Sequence, residues 1–263
     1  MVAVASWVLL GTGCDLAFQL DMVHPDAATD AAPDAPADAF VCPPTGHDED
    51  GDGVIDVCDN CPTISNADQA NVGETDAGQA PDAVGDACDP HPTTSGDVIA
   101  LFIPFTGGAA GTRTTGTVSF GVSDITIAGT GSLITNLDYT PTKIVARLAL
   151  GGSSGQEVQL STNTGGFRCD VTTDPCPAAP GSGCLTAEVA PVMPVPLANA
   201  TQISEIEVFE ADPTHLGCRT FVSGGVTASA VGTASFTNGQ VAIYTLAATS
   251  VTVSSLIVYG TAH

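Results

Sequence analysis

The densest chemistry in the chain is the run Asp48-Glu49-Asp50-Gly51-Asp52-Gly53-Val54-Ile55-Asp56-Val57-Cys58-Asp59. Calcium takes six to eight hard oxygen ligands in a flexible shell. One loop can supply them, with carboxylates at positions 1, 3 and 5, a glycine at 6, a backbone carbonyl at 7 and further oxygens at 9 and 12. Counted from Asp48, those places hold Asp48, Asp50, Asp52, Gly53, the Val54 carbonyl, Asp56 and Asp59. The last place carries an aspartate instead of the longer glutamate, so two-oxygen contact there requires the chain to close in. Magnesium fits less well, because it demands tight octahedral geometry and retains its waters. The plain alternative is a solvated acidic turn. The expected cofactor is Ca2+.

An EF-hand would flank this loop with helices, but Pro43-Pro44 precedes it and Cys58, Cys61 and Pro62 follow at once. Cysteines are the candidates for holding it. The run from Asp48 to Pro62, then Asn66-Ala67-Asp68-Gln69, then Gly85-Asp86-Ala87-Cys88-Asp89 resembles a thrombospondin type 3 repeat over roughly residues 42–90. That family has almost no regular secondary structure, wraps calcium with aspartates and closes each repeat with a disulfide. The resemblance implies pairing of Cys61 with Cys88, which leaves Cys58 for Cys42. After Gln69 the sequence departs from the family: the segment 71–82 is longer and poorer in aspartate. A second ion would fall to some of Asn71, Asp82 and Asp86, and the expectation is one good site and at most one weak one.

The chain has 263 residues, 29 acidic against 5 basic side chains, and a net charge of −24. No Lys or Arg precedes Arg113. Nucleic acid is excluded as a partner, since affinity for phosphates comes from Lys and Arg, and so is direct adsorption to an anionic membrane. Multivalent cations suit this charge. Hydrophobic residues make up 43%, enough for a core, while aromatics at 5% leave few stacking platforms for sugars or bases.

Nine cysteines divide into Cys14 alone, four in the acidic segment and four at Cys169, Cys176, Cys184 and Cys218. Two closed sets of four point to disulfides in an oxidising compartment. Zinc at Cys58-x-x-Cys61 would need a matching second pair, which is absent. Three pairings remain open for the second set.

The elements that must position these groups follow in order. Residues 1–13, with the apolar run Val2–Leu10, are too short to span a bilayer and fit a signal peptide. Leu10-Gly11-Thr12-Gly13-Cys14 resembles a degenerate lipobox, which implies a bacterial surface lipoprotein with lipid on Cys14 as its membrane contact. Residues 14–40 include a stretch rich in Ala, Asp and Pro that cannot bury enough apolar surface to fold and is expected to be a disordered tether. Residues 41–92 are the calcium segment, and Pro90, Pro92 and Thr93-Thr94-Ser95-Gly96 mark its end.

Residues 93–263 alternate apolar β-branched runs with Gly, Ser, Thr and Asn. Strands are expected at 98–105, 116–122, 123–128, 143–150, 157–161, 185–189, 203–210, 219–222, 228–236, 240–246 and 251–259, with no helical period. Many short strands with turn signals predict a mainly β protein, a two-sheet antiparallel jelly-roll sandwich following the irregular calcium repeat. The closing run, from Asn238-Gly239-Gln240 to Val258-Tyr259, is similar to the last strands of concanavalin-like (laminin-G-like) jelly rolls. That similarity implies a concave face and binding of carbohydrate or glycoprotein.

One further constellation is Glu205-Ile206-Glu207-Val208-Phe209-Glu210. It resembles the E-x-D-x-x-E strand of family-16 glycoside hydrolases, with Glu207 in place of the aspartate, and implies Glu205 as nucleophile and Glu210 as acid/base. A retaining pair needs carboxyls about 5–5.5 Å apart. Simple strand alternation instead places Ile206 and Val208 inward and Glu205 and Glu207 in solvent. The sequence therefore supports first a secreted, non-catalytic surface protein for adhesion or ligand binding, whose partner is carbohydrate or another surface protein. Glycoside hydrolysis and a lectin activity are the alternatives.

Overall fold

The computed structural model describes residues 42–108, 110–151, 155–162, 167–177, 179–180, 182–188, 194–222, 225–237, 239–246 and 249–261. The expected signal peptide, the tether and Cys14 lie outside these residues.

Residues 42–96 are almost entirely turns, with one 3-10 turn at Asp56–Cys58 and one short helix, α1 (Gly73–Asp76). Cys42 is bonded to Cys58 and Cys61 to Cys88. Gly and Asp dominate this stretch, and side-chain carboxylates take the backbone N–H groups that a helix or strand would otherwise satisfy.

Strands follow: β1 (Asp97–Ile103), β2 (Thr112–Phe120), β3 (Ile125–Leu137), β4 (Pro141–Leu150), β5 (Glu157–Thr162), β6 (Arg168–Thr172), β7 (Gly183–Glu188), β8 (Val195–Leu197), β9 (Glu205–Asp212), β10 (His215–Val222), β11 (Gly225–Thr233), β12 (Gly239–Thr245) and β13 (Ser250–Thr261). All pairings are antiparallel, in the order β11-β10-β9-β4-β13-β3-β12-β5-β6-β7-β8, with β1 beside β13 and β2 beside β3. The sheet folds over on itself into a jelly-roll sandwich. β9, β10 and β11 of the front layer pack on β5 to β8 of the back layer, and Cys169 on β6 is bonded to Cys218 on β10 across the core. The sequence reading missed β6 and β8, one being five residues with Arg and Asp and the other three residues around a proline.

The final strand shows how pattern becomes packing. Val251 and Val253 point into the sandwich, and so do Leu256 and Val258. A bulge between Val253 and Ser255 switches the alternation, because an extra residue on one strand reverses which face the following side chains take. Ile257 and Tyr259 therefore point outward, yet both are fully buried, in a second small core with Val145, Cys61, Val84 and Cys88. The disulfide-closed segment is packed on the outer face of β1, β13 and β4, and Cys42–His263 forms one compact unit.

Candidate functional site

The aspartate loop is built by its own carboxylates. Asp48 accepts from the N–H groups of Gly51 at 2.8 Å and Gly53 at 3.0 Å. Asp50 accepts from Asp52 at 3.1 Å, and Asp52 accepts from Val54 and from Asn66, both at 2.8 Å. Gly51 and Gly53 take φ of 76° and 94°, a conformation L side chains rarely adopt, which closes the turn. The result places one oxygen each from Asp48, Asp50 and Asp52 within 4.8 Å of one another. One oxygen of Asp50 is buried without a hydrogen-bond donor. Burial, and then the neighbouring carboxylates, push the Asp50 carboxyl up to about 6, whereas the Gly53 N–H lowers that of Asp48. Hard oxygens convergent at this spacing suit Ca2+.

The later loop positions are used differently. Asp56 accepts from Glu49 N–H at 2.8 Å and contacts His47 Nδ1 at 2.7 Å, so both its oxygens are engaged by protein. Asp59 is buried and accepts from Cys61 N–H at 2.7 Å and from Gln69 at 2.8 Å. Asp48, Asp50 and Asp52 are brought together with one oxygen of Asp50 left without a donor, while Asp56 and Asp59 brace the turn. For the expected second ion, Asp86 is taken up at the start of α1, accepting from Val72 and Gly73 N–H, and Asn71 donates to the Asp82 carbonyl.

The sheet beneath is organised in rows. Cross-strand register aligns Tyr259, Lys143, Phe209 and Gly217 in one row, Ile257, Val145, Glu207 and Arg219 in the next, and Arg147, Glu205 and Phe221 in a third. Paired residues of neighbouring strands share a face, and the contacts agree. Arg219 bonds Glu207 and stacks 3.8 Å from the centre of the Phe209 ring, which itself lies where a side chain at Gly217 would stand. Lys143 sits 4.7 Å over Tyr259, and Arg147 lies 3.5 Å from Glu205. Three of the five basic side chains of the protein thus lie on this face. Two hold the acidic segment: Lys143 Nζ donates to the Cys88 carbonyl at 2.6 Å and Arg147 donates to the Thr63 carbonyl.

These contacts correct two expectations. Glu205 and Glu207 are not in solvent. The covering segment buries Glu207 to 5% exposure and leaves Glu205 only partly exposed. Glu205 and Glu210 are not brought together either. β9 pairs with β10 without a break from Glu205 to Glu210, so an odd offset of five positions puts the two carboxyls on opposite faces. Glu210 is exposed near the end of the strand.

Beside the third row the segment and the sheet enclose a cleft of about 800 Å³, lined among others by His47, Glu49, Asp124, Arg147, Glu205 and Phe221. Burial raises the Glu205 carboxyl, and the Arg147 guanidinium opposes that rise. Sequence reasoning found Glu205 by its motif but missed Arg147 and Phe221, which carry no local signal and join the site only through register.

No known family and no curated protein matches the sequence. Among solved structures, the chain is similar to a β-glucanase of Bacillus licheniformis at 12% identity and a TM-score of 0.45, covering 63% of this chain and 98% of that one. It is similar to the Crh5 transglycosylase in complex with NAG at 13% and 0.45, covering 67% and 91%. Likeness to the exoplasmic/lumenal domain of VIP36 in its Ca2+/Man3GlcNAc-bound form is 11% and 0.39, covering 64% and 88%. Likenesses of this degree say nothing about activity.

Proposed function

We propose that the protein is a secreted, lipid-anchored bacterial surface protein in which a calcium-braced aspartate segment and a jelly-roll sheet together form a binding cleft for neutral carbohydrate. The observation that carries this reading is the cleft where Glu49 and His47 of the aspartate loop meet Arg147, Glu205 and Phe221 of the sheet. Carboxylates and a guanidinium around one space supply the acceptors and donors that sugar hydroxyls need, and the Phe221 ring offers an apolar surface for a pyranose face. Glu49, Asp124 and Glu205 outnumber Arg147 among the charged lining groups, so uronic or sulfated polymers are repelled and neutral glycans favoured. Calcium acts at one remove. Held by Asp48, Asp50 and Asp52, it fixes the turn that carries Glu49. Lipid on Cys14 and the tether to residue 40 would present the module at the cell surface for adhesion.

The test is a glycan array probed with full-length oxidised protein in millimolar calcium and in chelator, beside Asp50→Ala and Arg147→Met. Binding to neutral glycans that needs calcium and falls in both variants is expected. Calorimetry showing no calcium uptake would remove the brace, and array silence from calcium-loaded protein would remove the carbohydrate.

A second reading, glycoside hydrolysis, rests on Glu205 lining the cleft; burial raises its carboxyl, which suits the general acid of a carboxylate pair instead of the nucleophile that the motif implies. Its partner would then be another carboxylate of the cleft, Glu49 or Asp124, instead of Glu210. Turnover of a β-glucan panel that is lost in Glu205→Gln would establish it. Equal inertness of both proteins would dismiss it.

A further inference from the structure

The strand order leaves β11 at one end of the front layer, paired with β10 alone. Among the described residues no strand or loop backbone meets its other side, so the outward N–H and C=O groups of β11 form an open edge. Pairing with β10 runs without a break from His215 opposite Thr233 to Thr220 opposite Ala228. Residues 228–233 are therefore regular pleated strand. Ala228 and Ala230 turn into the core, while Ser229, Val231 and Thr233 are exposed. Val231 is 47% exposed.

Proteins shield such edges with charged side chains, prolines or bulges. Here the bulge lies beyond the regular stretch, next to Thr220 and Phe221. Residues 220–262 contain no Asp, Glu, Lys, Arg or Pro, in a chain of net charge −24. That distribution selects the partner. Two copies repel one another over acidic surface, and a cationic partner is drawn to the acidic segment instead. Along β11 the repulsion is absent. Arg219, opposite Ser229, is neutralised by Glu207. The acids of this corner, Glu210 and Asp212, lie two strands in on β9, at the Thr233 end. Antiparallel pairing sends those ends of two copies apart, whereas parallel pairing would bring them together.

We propose that the protein forms a two-fold dimer by antiparallel pairing of β11 with β11 of a second copy. Directly opposite residues share a face, so the axis passes through a residue. Val231 fits that place. It meets Val231 of the partner subunit, Ser229 meets Thr233 of the partner subunit, and on the core side Ala230 meets Gly232 of the partner subunit. An apolar pair on the axis flanked by hydroxyl pairs is a favourable cross-strand set, and the patch is complementary to itself, as a two-fold interface requires. The axis stands normal to the sheet, so the two front layers face the same way. Glu205 and Phe221 lie on that face, and the two clefts open toward one surface. Attachment to a repetitive ligand is thereby doubled. The pairing itself stands whatever the cleft binds.

The experiment is size-exclusion chromatography with light scattering on the full oxidised chain in calcium, from micromolar to hundreds of micromolar. Every sample carries Cys14→Ser, so neither a lipid nor a bond between two copies of Cys14 joins the chains. The parent chain is expected to reach twice the monomer mass. Val231→Lys sets two ammonium groups against each other on the axis, and Ser229→Lys crowds a charge against Thr233 of the partner subunit. Both positions are exposed, so both variants are expected to run as monomers and to keep the Tm of the parent measured where it is dilute and monomeric. Thr114→Lys, on the exposed strand β2 outside the pairing, is expected to remain dimeric. A dimer that survives both Val231→Lys and Ser229→Lys, or masses that grow beyond the dimer, would overturn the pairing. A parent chain that stays monomeric throughout would overturn it too, and would leave the edge to an extended segment of another protein.

Discussion

The ammonium of Lys143 donates to the backbone carbonyl of Cys88 at 2.6 Å. This bond joins the middle of a sheet to a loop far away in sequence, and the Tyr259 ring beneath the ammonium completes its cage. Burial lowers the Lys143 pKa, and the neighbouring Glu207 carboxylate opposes that fall. The jelly-roll face and the acidic segment are thereby a single surface.

Lys143→Met keeps most of the stem and removes the charge. It is expected to cost about 1.5–3 kcal/mol, the range for hydrogen bonds to charged groups. Denaturant unfolding would measure this, and limited proteolysis should show faster cleavage within residues 42–96. An unchanged proteolysis rate would mean that the disulfide core alone holds the segment.

The Cys169–Cys218 bond spans 49 positions and crosses the sandwich. Its removal as Cys169→Ala with Cys218→Ala is expected to lower stability by about 2–5 kcal/mol, since the unfolded chain regains the freedom that the loop denied it. Unfolding of the double variant in calcium checks this. A loss well below that range would show that the packed layers need no staple.

Glu207 is buried against Arg219 under the covering segment. Glu207→Ala leaves the Arg219 guanidinium without its partner. Because that side chain is 34% exposed, the cost is expected to be about 1.5–3 kcal/mol, the range for a hydrogen bond to a charged group, below that of a fully buried pair. Changing both, as Glu207→Leu with Arg219→Met, should recover much of this. Failure of the double variant to recover would assign the cost to lost packing of Phe209 beneath Arg219.

Carboxyl shifts predict an unusual response to acid. Asp50 and Asp89 are pushed up to about 6, and Asp59, Glu74 and Glu205 are also raised, each chiefly by burial. A carboxyl raised by folding binds its proton more tightly in the folded state. Its stabilising effect is complete below the unfolded value of about 4 and is lost as pH rises through the folded value. In chelator the Tm is therefore expected to climb on going from about pH 7.5 to about pH 5, the window set by these shifts. Saturating calcium should flatten or reverse this, because the cation binds the ionised form. A falling Tm in chelator would contradict the burial of these groups.

Much of the architecture was legible in the residues. The Asp48, Asp50 and Asp52 cluster is encoded within five positions, where ligand spacing is set by local turn chemistry. The strand runs were legible because alternation has a fixed period, and even the shift from Val251 and Val253 to Leu256 and Val258 is written in the sequence, although its cause is the bulge. What escaped was what register and covering decide. Glu205 and Glu207 read as solvent-facing because nothing near them in sequence announces the segment that lies over them. Glu74 read as one acid in a diluted run because a four-residue helix has no period to detect.

By itself, then, the sequence determined the class of fold and the clustering of carboxylates and cysteines: clustered hard oxygens, closed sets of cysteines and alternating strands are local or compositional properties. Only the tertiary structure decided which carboxylates meet. It set Glu205 beside Arg147 and away from Glu210, laid the disulfide core of the segment on Val145, Ile257 and Tyr259, and buried Glu74 with Asp82 and Asp89. The physical reason is that cross-strand register and long-range burial depend on the whole chain packing at once, and no window of sequence contains them.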